Sequence, residues 1–133
     1  MPLKKPLDQS SITVITTAAP VANGKGDQRL GAPINPAAML GGIYSAPCAD
    51  PPTLGISHLH YDRAHTDGAD QGALTPLAAL AEEAAAGRIG SLAPRFHGLP
   101  IRYSHRLHLV QDGPELLARL REDGTDLALL PAI

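Results

Sequence analysis

The chain has 133 residues, a net charge of −2 with its six histidines neutral, one cysteine, one Phe, three Tyr and no Trp. One domain's worth of chain is enough to bury about two thirds of its unfolded surface, but the core must be aliphatic. The charge balance carries no basic stripe for nucleic acid or an anionic membrane. No apolar run approaches the roughly 20 residues of a membrane span, and residues 1–11 lack the apolar region of a secretion signal. A cytoplasmic location is the expectation. A single thiol, Cys48, excludes an intrachain disulfide and any paired-cysteine redox motif within the chain.

In chain order, residues 1–11 read as a polar, flexible arm, and residues 12–133 as a single α/β domain. Ile12-Thr13-Val14-Ile15-Thr16-Thr17 is β-branched throughout and predicts a buried strand. Residues 18–53 form a long excursion dense in Gly and Pro, which argues against helix there. Loops of that length in a compact domain usually bind something. Cys48 falls in it, with no cationic neighbour or helix start to activate its thiol.

A second strand is expected over 54–58. Thr75-Pro76 then opens a helix, with Leu77, Leu80, Ala81 and Ala84 on one face and Gly87 closing it. A third strand is expected over 89–93, stopped by Pro94. Gly113-Pro114 opens a second helix with Leu116, Leu117 and Leu120 inward, and Gly124 ends it. Residues 126–130 make a fourth strand. Alternating strands and helices predict βαβ units, a mostly parallel sheet and flanking helices, in a Rossmann- or flavodoxin-like arrangement.

Sites in open sheets of this kind form at the carboxyl ends of the strands. Those ends carry Thr16 and Thr17, then His58, His60, Tyr61 and Asp62, then Arg95 and His97. His58 and His60 share one face of a strand. With His97 they make a candidate transition-metal set, against the plainer reading of hydrogen-bonded histidines. Asp62 suits the orientation of a histidine tautomer or a substrate amine, or simply caps a turn. Arg95 has the geometry to clasp a carboxylate, and His97 the chemistry to protonate a leaving amine; the alternative is an exposed loop pair. Thr16 and Thr17 offer hydroxyls to the same crevice, or are there for strand propensity. Gly24-Lys25-Gly26 lacks the spacing of a phosphate-binding loop.

Four stretches carry a resemblance when taken together: Ile-Thr-Thr-Ala-Ala-Pro at 15–20, Ile-Ser-His-Leu-His-Tyr-Asp at 56–62, Gly-Arg-Ile-Gly-Ser-Leu-Ala-Pro-Arg-Phe-His at 87–97, and Glu-Asp-Gly-Thr-Asp-Leu-Ala-Leu-Leu at 122–130. In this order the chain resembles the N-terminal half of the B-type (selenoprotein B) subunits of the glycine/sarcosine/betaine/D-proline reductases, from about residue 12 to its end. The resemblance implies reductive cleavage of a carbon–nitrogen bond in a small amine or amino acid. In that family a Cys or Sec nucleophile directly follows the strand matching 126–130. Here the chain stops at Ile133. The expectation is therefore an incomplete half-domain, an oxidoreductase subunit inactive by itself. A second subunit would supply the Cys/Sec redox centre, through a split gene or a processed precursor.

On this reading His97, Asp62 and His58 serve catalysis, and Thr16, Thr17, His60, Tyr61 and Arg95 line the substrate pocket. Residues 98–111 depart from the Gly/Met-rich loop usual in the family. No cofactor is certain. The rival readings are a non-redox metal- or ligand-binding accessory protein, and a biosynthetic enzyme subunit that uses the scaffold for other chemistry.

Overall fold

The computed structural model describes residues 3–20, 42–56, 64–65 and 69–131. Strand β1 (Ser11–Thr16) is the axis of the main sheet. Its residues from Ile12 to Thr16 are all buried, so both of its faces are covered. Side chains alternate along it. Val14 joins a cluster with Leu54, Leu74, Leu77 and Phe96, while Ile15 joins Ile43 and Leu116 on the other side.

β2 (Ala19–Pro20) leaves the main sheet and pairs antiparallel with β4 (Leu54–Gly55). Between them in sequence, β3 (Tyr44–Pro47) joins the main sheet. Helix α1 (Gln71–Leu74) is capped by Asp70, whose carboxylate accepts from the Gly72 amide at 2.8 Å. The Gln71 side chain bonds both backbone groups of Leu54, at 2.8 and 2.9 Å, and so completes β4 as a neighbouring strand would. Helix α2 (Leu77–Ala85) places Leu77 in the first cluster. It is followed by Gly87 at φ 70°, as expected of a helix closed by glycine.

β5 (Ser91–Leu92) and β6 (Arg95–Gly98) lie along the same side of β1, separated by Ala93-Pro94. Short α3 (His105–Leu107) runs into a π-helical turn (His108–Asp112) and then α4 (Gly113–Glu122), which places Leu116 against Ile15. Gly124 at φ 66° turns the chain into β7 (Leu127–Leu129).

Five described strands make the main sheet: β3 pairs with β6, and β6, β5 and β7 each pair with β1. β5, β6 and β7 are parallel to β1, and β3 is antiparallel to β6. The architecture is therefore α/β with a mixed sheet, α2 against one face and α4 against the other. Among the described residues no helix is long and apolar enough to cross a membrane.

Three differences from the sequence reading have physical causes. The strand expected to stop at Pro94 resumes at Arg95. Pro94 cannot donate to the ladder, and the hydroxyl of Thr13 on β1 bridges the break by donating to the Arg95 carbonyl at 2.7 Å. The strand expected over 54–58 is found only at Leu54–Gly55, in the separate pair; positions 57–58 fall outside the described residues. The excursion at 18–53 contains β2 and β3, and the latter is held by register with β6, Ser45 facing His97 and Ala46 facing Phe96.

The stretch ahead of β1 is tied to the sheet. Leu7–Gln9 makes a 3-10 turn, and the Leu7 carbonyl accepts from the Gly90 amide at 3.0 Å. Backbone passes so near Gly90 that a β-carbon there would lie 2.5 Å from the Gln9 carbonyl carbon. Lys5 pairs with Asp126 at 2.8 Å, and the same carboxylate accepts from the Ser11 amide at 3.0 Å.

Candidate functional site at the carboxyl edge of the sheet

Arg95 and His97 are two apart on β6, so both project to the α4 face. There they meet Asp123, which follows the last turn of α4 and whose side chain is only 4% exposed. Arg95 Nη2 lies 2.6 Å from Asp123 Oδ1 and 2.9 Å from Glu122 Oε2, and Nε donates to Asp123 Oδ1 at 3.0 Å. The hydrogen bonds it donates to Asp123 and Glu122 hold the guanidinium pKa above its ordinary value.

His97 has no exposed side-chain surface. Its Nε2 is 3.1 Å from Asp123 Oδ2, off the line of a good hydrogen bond, and its Nδ1 is 2.9 Å from Ser45 Oγ. Arg119 on α4 donates to that same Oγ at 2.8 Å, and its other terminal nitrogen pairs with Glu115 at 2.6 Å. Ser45 therefore accepts from Arg119 and can donate its own proton to His97 Nδ1, which fixes a neutral ring with its hydrogen on Nε2. Burial pushes the imidazole pKa below its ordinary value; Asp123 opposes this, and Arg95 reinforces it. The order Ser45, His97, Asp123 has the composition of a hydrolytic triad. However, the ring is sealed and Arg119 occupies the serine oxygen. The network locks β3, β6 and α4 together.

Thr16 is also buried, and its hydroxyl accepts from the Ala18 amide at 3.1 Å, turning the chain out of β1. Thr17 instead lines a crevice of about 320 Å³ at the carboxyl edge. That volume lies within the range of small-molecule sites, roughly 300–1,000 Å³. Leu99, Ile101, Arg102, His108 and Asp112 share the lining. Two larger hollows beside α2, about 420 and 580 Å³, contain no charged side chain, so chemistry favours the smaller one.

The crevice is shaped by the π turn. Asp112 is 1% exposed. Its Oδ2 lies 2.9 Å from His108 Nδ1 and 3.5 Å from Arg102 Nε, yet neither carboxylate oxygen completes a hydrogen bond among the described residues. His108 Nε2 is 2.7 Å from the Arg102 carbonyl, which orients the ring. The turn has a local cause. Pro114 has no N–H to offer the carbonyl four residues back, and the Gly113 amide reaches five residues back to the His108 carbonyl. One residue is thereby added to the helical turn, as in the π-bulges common at binding sites.

Cys48 follows β3, and its amide donates to the Pro94 carbonyl at 3.0 Å. Its thiol borders the larger hollow beside α2, not the crevice. Burial, and secondarily the charge of Asp123, push it up to about 11, so it carries little thiolate at neutral pH.

The structure thus joins Arg95 and His97 through Asp123, and places Thr17 with Arg102, His108 and Asp112. His58, His60, Tyr61 and Asp62 lie outside the described residues. Of the expected metal set only His97 is described, and no group of three metal-ligating side chains gathers among the described residues. The reading from sequence missed Ser45, Asp123, His108 and Asp112; only the position of Asp112 beside Gly113-Pro114 signalled anything unusual.

Fold and site together define an α/β domain with a small-molecule-sized crevice at the carboxyl edge of a mixed sheet. Comparison with protein-family models, with curated proteins and with solved structures found no match.

Proposed function

We propose that the chain is the pocket-forming subunit of a reductase-like enzyme that cleaves a carbon–nitrogen bond in a small amine or amino acid. A partner chain supplies the Cys or Sec nucleophile, as the resemblance to the B-type reductase subunits implies. The scaffold on this reading is a Rossmann- or flavodoxin-like half completed by that partner. One observation carries the proposal: the crevice lies at the edge to which parallel β1, β6 and β7 all run, and the described residues bring no activated thiol to it.

β7 pairs with β1 in parallel, Leu129 beside Val14, so the carboxyl end of β7 points toward Thr16 and Thr17. A thiolate delivered there would stand at the crevice. Among the described residues β7 has β1 as its strand partner, and Leu129 and Leu130 are exposed along it. An open edge of that kind favours addition of another strand.

The chemistry balances with a dithiol. The C–N bond breaks, a C–H bond forms, the amine leaves with a proton, and two thiols become a disulfide. Thr17 and the groups around Asp112 orient the substrate, while the Arg95–Asp123–His97 network holds the end of β6 in place.

The test is amine release. The chain combined with its thiol-bearing partner and dithiothreitol should release amine from small amine and amino acid substrates, and iodoacetate treatment of the partner should abolish it. A combined preparation that releases no amine from any of them contradicts the proposal. The high thiol pKa of Cys48 also suits a second reading, a non-redox accessory that binds a ligand in the crevice; ligand binding with no partner in the native complex would select it.

A further inference from the structure

An apolar stripe lies exposed along α4 and the π turn ahead of it. Val110, Pro114 and Leu117 recur at helical spacing and all are exposed; Leu109 beside them is 76% exposed, and Tyr103 is 78% exposed. Single exposed apolar residues are ordinary, but a contiguous run of them marks a contact surface. The stripe has a local cause. In an uninterrupted α-helix Leu109 stands seven residues before Leu116, on the same buried line. The extra residue in the π turn rotates Leu109 and Val110 off that line and leaves Asp112 on it. Leu117, which the sequence pattern turns inward, is 46% exposed.

The stripe ends in charge of one sign. Arg106 stands one turn before Val110, and Arg121 one turn after Leu117. Both are exposed, with no ion-pair partner among the described residues. The two glutamates nearest to it are engaged elsewhere, Glu115 with Arg119 and Glu122 with Arg95. A second copy laid on this face would set Arg106 and Arg121 against the same two cations, an unfavourable match. The complementary surface is therefore apolar at its centre and carries carboxylates at its rim. The stripe also borders the crevice: Tyr103 and Gly113, beside it, line the crevice wall. A chain that delivers a group to the crevice from this side comes to rest on them.

We propose that the face formed by Tyr103, Leu109, Val110 and Leu117 is the docking surface for the thiol-bearing partner chain. The partner meets it with an apolar patch bordered by Asp or Glu, which faces Arg106 and Arg121. The inference rests on the proposed function for the existence of that partner, and adds where the partner sits and what recognises it.

The experiment uses the complex isolated from the protein's own cells, with the photoreactive residue p-benzoylphenylalanine at position 110, at 117, or, for comparison, at exposed position 79 on α2. Irradiation followed by intact-mass analysis should join positions 110 and 117, but not 79, to the chain that carries Cys or Sec. Dilution of the complex should give a dissociation constant at least about tenfold higher when the chain carries both Arg106→Glu and Arg121→Glu, and added salt should weaken the unaltered complex more than this variant. All the altered side chains are exposed, so the fold is kept. Cross-links from 110 and 117 to a second copy of this chain, cross-linking at 79 as strong as at 110, or an unchanged dissociation constant in the double variant would each overturn the proposal. A second chain present but joined at neither 110 nor 117 overturns the docking surface alone, whereas a preparation with no second chain overturns the proposed function and this surface with it.

Discussion

His97 makes stability depend on pH in a direction that can be worked out. Its imidazole is sealed between β3, β6 and α4, and burial lowers its pKa from the ordinary 6.5. Near and below that value the unfolded chain takes up a proton at position 97 more readily than the folded chain does. The unfolded state then binds more protons, so stability is complete above about pH 6.5 and is lost as pH falls below it. The limiting slope for one group is about 1.4 kcal/mol per pH unit. From about pH 7.5 to about pH 5.5 the contribution lost has an upper limit of about 1.4 kcal/mol, reached only if the folded ring stays neutral throughout, the other histidines adding their own terms. His97→Gln keeps a donor and an acceptor of similar reach but does not titrate. Urea unfolding of both proteins at the two pH values isolates the effect. The unaltered chain should lose more stability than His97→Gln over this range, by at most about 1.4 kcal/mol. Equal losses would show that His97 protonates as readily in the folded protein as in the unfolded chain, and the sealed network would be wrong.

Packing and burial set two further outcomes. Phe96 is fully buried, edge-on to Tyr44 at 6.1 Å between ring centres, so Phe96→Ala should cost about 3–5 kcal/mol in urea unfolding; a cost below about 1 kcal/mol would refute its place in the core. The Cys48 thiol, raised from 9.0 to about 11, should react with a disulfide reagent near neutral pH about 10-fold more slowly than an ordinary cysteine, its roughly 100-fold lower thiolate fraction being partly offset by the greater nucleophilicity of a high-pKa thiolate. A rate equal to that of free cysteine would contradict its burial.

The parts of the fold that were legible in sequence are those whose signals are local. Ile12 to Thr16 reads as a strand because every residue in it is β-branched, and α2 and α4 announce themselves by Pro near their starts and Gly beyond their ends. What stayed hidden depends on distant partners. Tyr44–Pro47 has no strand signature and is ordered by pairing with β6. Arg95–Gly98 was concealed by Pro94, whose missing donor is compensated by Thr13 from another strand. Asp123 reads as an ordinary residue after a helix until β6 brings Arg95 and His97 beneath it. The Asp112 site arises from an extra residue in a helical turn, which spacing rules based on the α-helix place on the wrong face. The sequence drew attention to strand ends as the place for a site; the particular side chains there were set by tertiary packing.

The central claim is that this chain works with a thiol- or selenol-bearing partner. Native mass spectrometry of the protein isolated from its own cells, with intact masses of every chain, tests it most directly. The account predicts a complex containing a second chain that carries a Cys or Sec residue able to reach the carboxyl edge of the sheet. An assembly of this chain with itself alone would contradict it.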